Sequence, residues 1–160
     1  MRKLRLPKLC LPALTATILL VTSALAQESL PICSNRLIAG NYGFAIRGQK
    51  LAGPGLLGPQ VGVSMAHFDG EGGFTQTDTV TINGVVVADF THPPATGAYT
   101  VNSDCTGTFT ITFADGRPPV ATAFVVVDDG NEIDVVVTSA GGNQGILATG
   151  SVGKRVSRRR

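Results

Sequence analysis

The stretch FTQTDTVTINGVVVADF, residues 74–90, contains the strongest local fold signal in the chain. A run rich in threonine, valine and isoleucine ends at Ile82, and a second apolar run begins at Val85. Asn83 and Gly84 separate the two runs. This dipeptide tolerates the positive φ angles of a type I′ turn, whose twist matches that of antiparallel strands. The stretch therefore predicts a tight β-hairpin.

Alternating apolar and polar residues recur on both sides of this hairpin, separated by turns rich in glycine, proline and aspartate. Pro93 and Pro94 end pairing after the hairpin, because proline has no amide hydrogen to donate to a ladder. No helical period persists along the mature chain. The predicted strands cover residues 41–47, 60–68, 74–82, 85–90, 98–102, 106–113, 120–128, 133–139 and 146–152.

This succession of strands predicts an all-β fold. Short connections favour an antiparallel meander, and a meander of eight or nine strands removes its exposed edges by closing into a barrel. A β-sandwich is the alternative. A barrel of about eight strands is either filled by side chains or holds one small ligand.

The N-terminus has the three zones of a secretory signal peptide. Basic residues precede an apolar run over residues 9–21, and Ala24, Leu25 and Ala26 supply a cleavage pattern. The run is shorter than the roughly 20 residues of a membrane-spanning helix. We expect a signal peptide at residues 1–26, no transmembrane segment after cleavage, and export to the periplasm, cell surface or medium.

The rest of the chain divides into a predicted barrel domain, residues 27–153, and a basic tail, residues 154–160, which we expect to be disordered. The domain has 11 acidic and 4 basic residues, and the tail adds 5 basic ones. An acidic body argues against a nucleic-acid-binding surface, which needs a basic face. Weak contact of the tail with anionic surfaces remains open.

Removal of the signal peptide leaves two cysteines, Cys33 and Cys105. An oxidising compartment favours their pairing as a disulfide. A reactive free thiol is the alternative, although neither cysteine has a neighbouring His, Lys or Arg in sequence to lower its pKa.

Asp78, Asp89 and His67 are the weak candidates for acid–base chemistry. His67 shares a strand face with Val61 and Met65, which would direct it into the barrel. The two-residue turn sets Asp78 opposite Asp89, and facing carboxylates repel; an inward face would raise one pKa. For His67, a surface or hydrogen-bonded position near a turn is favoured over the inward one. If the face of the two aspartates is outward, solvent screens the pair and no function follows.

Neither a metal nor a cofactor is expected. The sequence has no pair of histidines at metal-ligand spacing, no phosphate-binding glycine loop and no serine nucleophile motif. The acidic segment at residues 69–73 lacks the alternating oxygen ligands of a calcium loop, and its composition is typical of a turn.

Three segments carry a resemblance to a known group: LIAGNYGF (residues 37–44), FDGEG (68–72) and GAYTVNSDCTGT (97–108). The chain resembles secreted bacterial proteins of unassigned function whose fold is similar to the allene oxide cyclase barrel, a calycin-like architecture. Allene oxide cyclases and related barrels hold an apolar substrate inside the barrel. Their functional residues match no positions here, so the resemblance implies the barrel more than any activity.

Three functions follow from these observations. Binding of a small apolar molecule inside the barrel is favoured, because abundant Val and Ile with few large aromatic residues leave space. A cyclase- or isomerase-type enzyme is the first alternative, and it requires an inward ionisable residue. A structural or cell-surface interaction protein is the second, and it requires a solid interior.

Overall fold

The computed structural model describes residues 33–141 and 145–156; the predicted signal peptide and the last four residues of the predicted tail lie outside the described residues. A short 3-10 helix, Asn35–Ile38, precedes the strands, and a second one, Asp128–Gly130, lies between the seventh and eighth strands. The strands are β1 (Gly40–Ala52), β2 (Gly58–Phe68), β3 (Gly73–Ile82), β4 (Val85–Ala88), β5 (Ala95–Val101), β6 (Thr106–Thr112), β7 (Val120–Val127), β8 (Glu132–Ala140) and β9 (Ile146–Arg155).

Eight of these strands form a closed antiparallel barrel in the order β1-β2-β3-β5-β6-β7-β8-β9, with β1 pairing to both β2 and β9. The ninth strand, β4, pairs with the end of β3 and lies outside the ring. The predicted all-β meander closed into a barrel is confirmed, and it is consistent with a calycin-like architecture. The β-sandwich alternative is not what the chain forms.

The hairpin predicted from Asn83 and Gly84 is confirmed. Their φ angles are 51° and 81°, as a type I′ turn requires, and Ile82 pairs with Val85. The ladder then shifts register, because Val80 pairs with Ala88 and leaves Val87 as the extra residue of a β-bulge.

Two strands continue well past the C-terminal ends that their sequence patterns predict. β1 continues past residue 47 to Ala52, and β9 continues past residue 152 to Arg155. Lys154 and Arg155, which we had assigned to the basic tail, therefore belong to the barrel. Pairing with β1 and β8 extends β9 through these positions, which the local alternation of the sequence does not reveal.

Aromatic rings fill one end of the barrel, which we call the closed end. Phe68 lies at the centre, with its ring centroid 5.0 Å from that of Tyr99 and 5.4 Å from that of Phe74. Edge-to-face and offset arrangements of this kind stabilise a core beyond the area that they bury. The rings that make up this aromatic core are Tyr42, Phe44, Phe68, Phe74, Tyr99, Phe109 and Phe124.

Three of these phenylalanines each face a glycine on the neighbouring strand. The cross-strand pairs are Phe44 with Gly153, Phe74 with Gly97, and Phe124 with Gly107. A Cβ atom built on any of the three glycines would lie 2.2 or 2.3 Å from the ring of its partner. The rings therefore occupy the space that a side chain on the next strand would otherwise fill.

The N-terminal segment, residues 33–39, covers the closed end. The disulfide between Cys33 and Cys105 joins the segment to the turn before β6, with the Cα atoms 5.0 Å apart, so the predicted pairing is confirmed. Ile38 is fully buried in the core. The side-chain oxygen of Asn35 accepts a hydrogen bond from the backbone amide of Val101 at 2.8 Å.

Arg155 holds this segment against the barrel from the other side. Its guanidinium donates hydrogen bonds to the carbonyl oxygens of Leu37 and Ala39, both at 2.6 Å, and to that of Gly130. The same group lies over the ring of Tyr42, 4.9 Å from its centroid. Burial raises the pKa of the Tyr42 hydroxyl, and the nearby Arg155 partly opposes this shift.

Substitution of Gly107 by Ala is expected to destabilise the protein by about 2 kcal/mol, because the new methyl group overpacks the ring of Phe124. Gly43→Ala is the matched control, since a Cβ atom there meets nothing closer than 3.9 Å. Urea unfolding of both variants measures the difference. Equal stability of the two variants would contradict the proposed role of the glycine–phenylalanine pairs.

Replacement of both Cys33 and Cys105 by Ala is expected to lower the free energy of unfolding by about 4 kcal/mol. The cysteines are 72 residues apart, and the chain-entropy model assigns that value to a loop of this length. Guanidinium unfolding of the double variant and of the oxidised protein tests the estimate. A loss below about 1 kcal/mol would show that the crosslink contributes little to stability.

Candidate functional site

The end of the barrel opposite the aromatic core, the open end, contains a cavity of about 160 Å³. Phe44, Phe68 and Phe109 form its floor, which is also the upper surface of the aromatic core. The walls come from β1 to β3 and β6 to β9, and β4 contributes Val87 and Ala88 at the mouth. The interior is therefore half filled and half open.

The walls of the cavity are mainly aliphatic, which explains why the space is not filled. Apolar lining residues are Ile46, Val80, Ile82, Ile111, Val120, Val135, Val137 and Leu147. Two interior positions, Gly48 on β1 and Gly62 on β2, have no side chain at all. Each faces a strand neighbour so closely that a Cβ atom would lie 2.3 or 2.6 Å from a backbone oxygen.

Several polar side chains also point into the cavity from strand positions that share a face with core residues. Ser64 and Gln76 are buried, and Thr122 donates a hydrogen bond to the carbonyl of Phe109 at 3.0 Å. The sequence analysis did not single out these residues. Their even spacing along the strands, four residues from Phe68 for Ser64 and two from Phe74 for Gln76, is the signal that places them inside.

His67 lies on the surface and does not point into the barrel, as the favoured interpretation of the sequence predicts. It is exposed on the outer wall with Val61 and Met65, which are 53% and 44% exposed. Its Nδ1 atom lies 2.8 Å from Oδ1 of Asn41 on β1. The inward face of β2 is instead the one that ends in Phe68, because the ring of Phe68 enters the core.

Asp78 and Asp89 do not face each other. Asp78 is half-buried, lines the cavity, pairs with Ser64 on β2 and accepts a hydrogen bond from Gln76 Nε2 at 3.3 Å. The bulge at Val87 shifts the register, and Asp89 lies beyond the end of β4. The predicted pair is therefore wrong.

Asp89 instead stabilises a turn. Its carboxylate accepts hydrogen bonds from the hydroxyl and the backbone amide of Thr91, which hold the pKa of Asp89 below its usual value. His92 lies nearby, with Nδ1 3.3 Å from the Asp89 carboxylate. A carboxylate held in this way at the surface is a folding feature.

The acidic segment at residues 69–73 is likewise a turn. Oδ1 of Asp69 accepts hydrogen bonds from the backbone amides of Glu71, Gly72 and Gly73 at 2.7 to 2.9 Å. These bonds, that of Glu71 first, lower the pKa of Asp69. The carboxylate therefore stabilises the turn between β2 and β3.

The mouth of the cavity carries two cations and an apolar rim. Arg117 pairs with Asp115 at 2.7 Å and lies over the ring of Phe113, while Lys50 donates a hydrogen bond to the carbonyl of Pro54. Among the described residues that line the cavity, Asp78 is the one acidic side chain. Exposed apolar residues on the surrounding loops and strand ends are Leu51, Leu56, Leu57, Val85, Val86, Phe90 and Ile146.

Within residues 33–141 and 145–156, no group of three or more His, Cys, Asp or Glu side chains is arranged to hold a metal ion. The same part of the chain contains no helix that is long and apolar enough to cross a membrane. Comparisons with protein-family models, with curated proteins and with solved structures find no match to this chain. The functional argument therefore depends on the cavity.

Proposed function

We propose that the protein binds a small, largely apolar molecule in the open half of its barrel. The half-filled interior carries this proposal, because seven aromatic rings pack the closed end while aliphatic walls surround a cavity of about 160 Å³ at the other. Binding sites for small molecules are typically concave and mostly apolar, with a few well-placed polar groups. The exposed apolar rim offers an entry path of the same character.

The volume of the cavity limits the part of the ligand that it can enclose. An apolar protein cavity of about 150 Å³ accommodates benzene, so this cavity suits one ring or a short branched chain. A longer molecule must extend through the mouth. For six to ten heavy atoms at about 0.6 kcal/mol each, we expect a Kd between about 2 mM and about 40 μM.

A cyclase- or isomerase-type enzyme is the second candidate, and Asp78 is the observation that favours it. Its carboxylate lines the cavity within reach of Gln76, where it could move a proton on a bound substrate. The other charged lining residues, Lys50 and Arg117, lie at the mouth and contact neighbouring groups. One carboxylate without a second acid or base beside it fits binding better than multistep proton transfer.

We further propose that the protein is exported after cleavage at residue 26 and is related to the secreted bacterial proteins with allene oxide cyclase-like barrels. The disulfide gives indirect support for export, because such bonds persist mainly in oxidising compartments. The closed eight-stranded barrel is compatible with that relationship.

A cavity-filling substitution tests the binding proposal. Ile46→Phe places a ring in the cavity and is expected to weaken toluene binding at least tenfold. Ala45→Phe is the control, because Ala45 lies on the outer face of the same strand and is exposed. Calorimetric titration measures both. Unchanged toluene binding by Ile46→Phe would exclude the cavity as the site.

Mass spectrometry of protein purified from the exported fraction of bacterial cells tests export and separates the functional candidates. We expect an N-terminus at Gln27, the loss of two hydrogens from the cysteine pair, and a small apolar ligand recovered by organic extraction. A single ligand supports binding, whereas two ligands of equal mass related by ring closure favour the enzyme. Protein that retains the intact N-terminus would contradict cleavage at residue 26, and absence of the protein from the exported fraction would contradict export.

A further inference from the structure

One row of the barrel wall places two polar side chains on either side of a glycine. Gly48 in the middle of β1 pairs with Gln60 on β2 and with Thr149 on β9. Gln60 and Thr149 both line the cavity. Because neighbouring strands lie about 4.8 Å apart, the two backbones are separated by about 10 Å across a residue that has no side chain. We call this row, Gln60, Gly48 and Thr149, the polar notch.

The polar notch contains two buried polar atoms without a hydrogen-bond partner among the described residues. They are Oε1 of Gln60 and Oγ1 of Thr149, and the whole of Thr149 is only 7% exposed. Buried polar groups are nearly always hydrogen-bonded, because leaving one unpaired is costly. Two such atoms in one row of a cavity therefore indicate a place where a ligand supplies the missing partner.

The absence of a side chain at Gly48 allows β9 and the hydroxyl of Thr149 to lie close against β1. A Cβ atom at Gly48 would lie 2.8 Å from Oγ1 of Thr149 and 2.3 Å from the carbonyl oxygen of Ala148. The hydroxyl of Thr149 thus leans over Gly48, toward the side on which Gln60 lies. A larger residue at position 48 would clash with the backbone of β9 and displace the hydroxyl.

The two atoms together specify the chemistry of the group that they bind. Oε1 of Gln60 is an acceptor only, so the ligand must donate a hydrogen bond to it. A hydroxyl can do so, and its oxygen can accept the hydrogen of the Thr149 hydroxyl, so this group has both of the properties that the two atoms require. A carboxylate or a ketone has no hydrogen to donate to Oε1 of Gln60. An ammonium ion would lose its hydration in an apolar cavity.

We infer that the polar notch recognises a neutral hydroxyl group, and that the ligand is a small alcohol or phenol whose apolar body lies on the aromatic floor. This inference rests on the proposed function, because it identifies the ligand class of the same cavity. Phenol has a ring of the size that the cavity encloses and a single hydroxyl for the polar notch.

The test compares phenol with toluene, which has a methyl group in place of the hydroxyl, in calorimetric titrations at pH 7. The quantity of interest is the ratio of the two Kd values, since it removes effects that are common to both ligands. In Thr149→Val, which keeps the shape but loses the hydroxyl, the ratio is expected to move against phenol by about 5- to 30-fold. Gln60→Leu is expected to move it in the same direction.

Thr122→Val is the matched control. The hydroxyl of Thr122 lines the same cavity but already donates to the carbonyl of Phe109. We expect this variant to keep the wild-type ratio and to lose about 4 °C in Tm, because it breaks a satisfied hydrogen bond. Thr149→Val is expected to keep or raise Tm in the absence of ligand, because it removes an unpaired polar atom.

The outcomes separate this inference from the proposed function. If phenol and toluene both bind and Thr149→Val leaves their ratio unchanged, the cavity binds ligands but the polar notch does not recognise a hydroxyl. If neither ligand binds the wild-type protein at millimolar concentration, the proposed function fails and the inference with it. A change of ratio in Thr122→Val as large as that in Thr149→Val would also overturn the assignment.

Discussion

The pairing of glycine with phenylalanine across neighbouring strands determines how the interior of this barrel is used. Gly153, Gly97 and Gly107 each leave space for the ring of a phenylalanine on the next strand. Two of these rings contact Phe68 directly, and that of Phe124 is connected to it through Phe109. The bulky side chains are thereby collected in one half of the barrel. The other half receives aliphatic and small polar residues, and a cavity remains because nothing large enough points into it.

Stability and the binding site are consequently located at opposite ends of the molecule. The closed end contains the disulfide, the N-terminal segment with its buried Ile38, and the hydrogen bonds of Arg155. The open end is less densely packed. From the cost per volume of a cavity, filling 160 Å³ with side chains would add up to about 4 kcal/mol to the free energy of unfolding. The disulfide contributes a similar amount in the chain-entropy model, about 4 kcal/mol. A rigid closed end thus allows an open end with unfilled space and unpaired polar atoms.

The strands, the hairpin at Asn83 and the closure of the barrel could be predicted from the sequence, because they depend on local alternation and on turn residues. The division of the interior could not, since the partner of Phe44 is Gly153, far along the chain. The inward face of β2 could not be identified from its apolar residues. Its outer face, with Val61 and Met65, is more apolar than its inner face, where Gln60 and Ser64 line the cavity. The polar notch depends on the pairing of Gly48 with Gln60 on one side and with Thr149 on the other. Only the closed barrel brings these three residues into one row.

The central claim is that a small molecule enters the open end while the closed end is solid. A titration of the isotope-labelled mature protein with phenol, followed through its backbone amide NMR signals, tests this claim most directly. The account predicts saturable shifts at Gly48, Gly62 and Ser64, with the signals of Val101 and Gly107 in the closed end unmoved. Shifts confined to the outer wall, or no saturable shift at any amide, would contradict it.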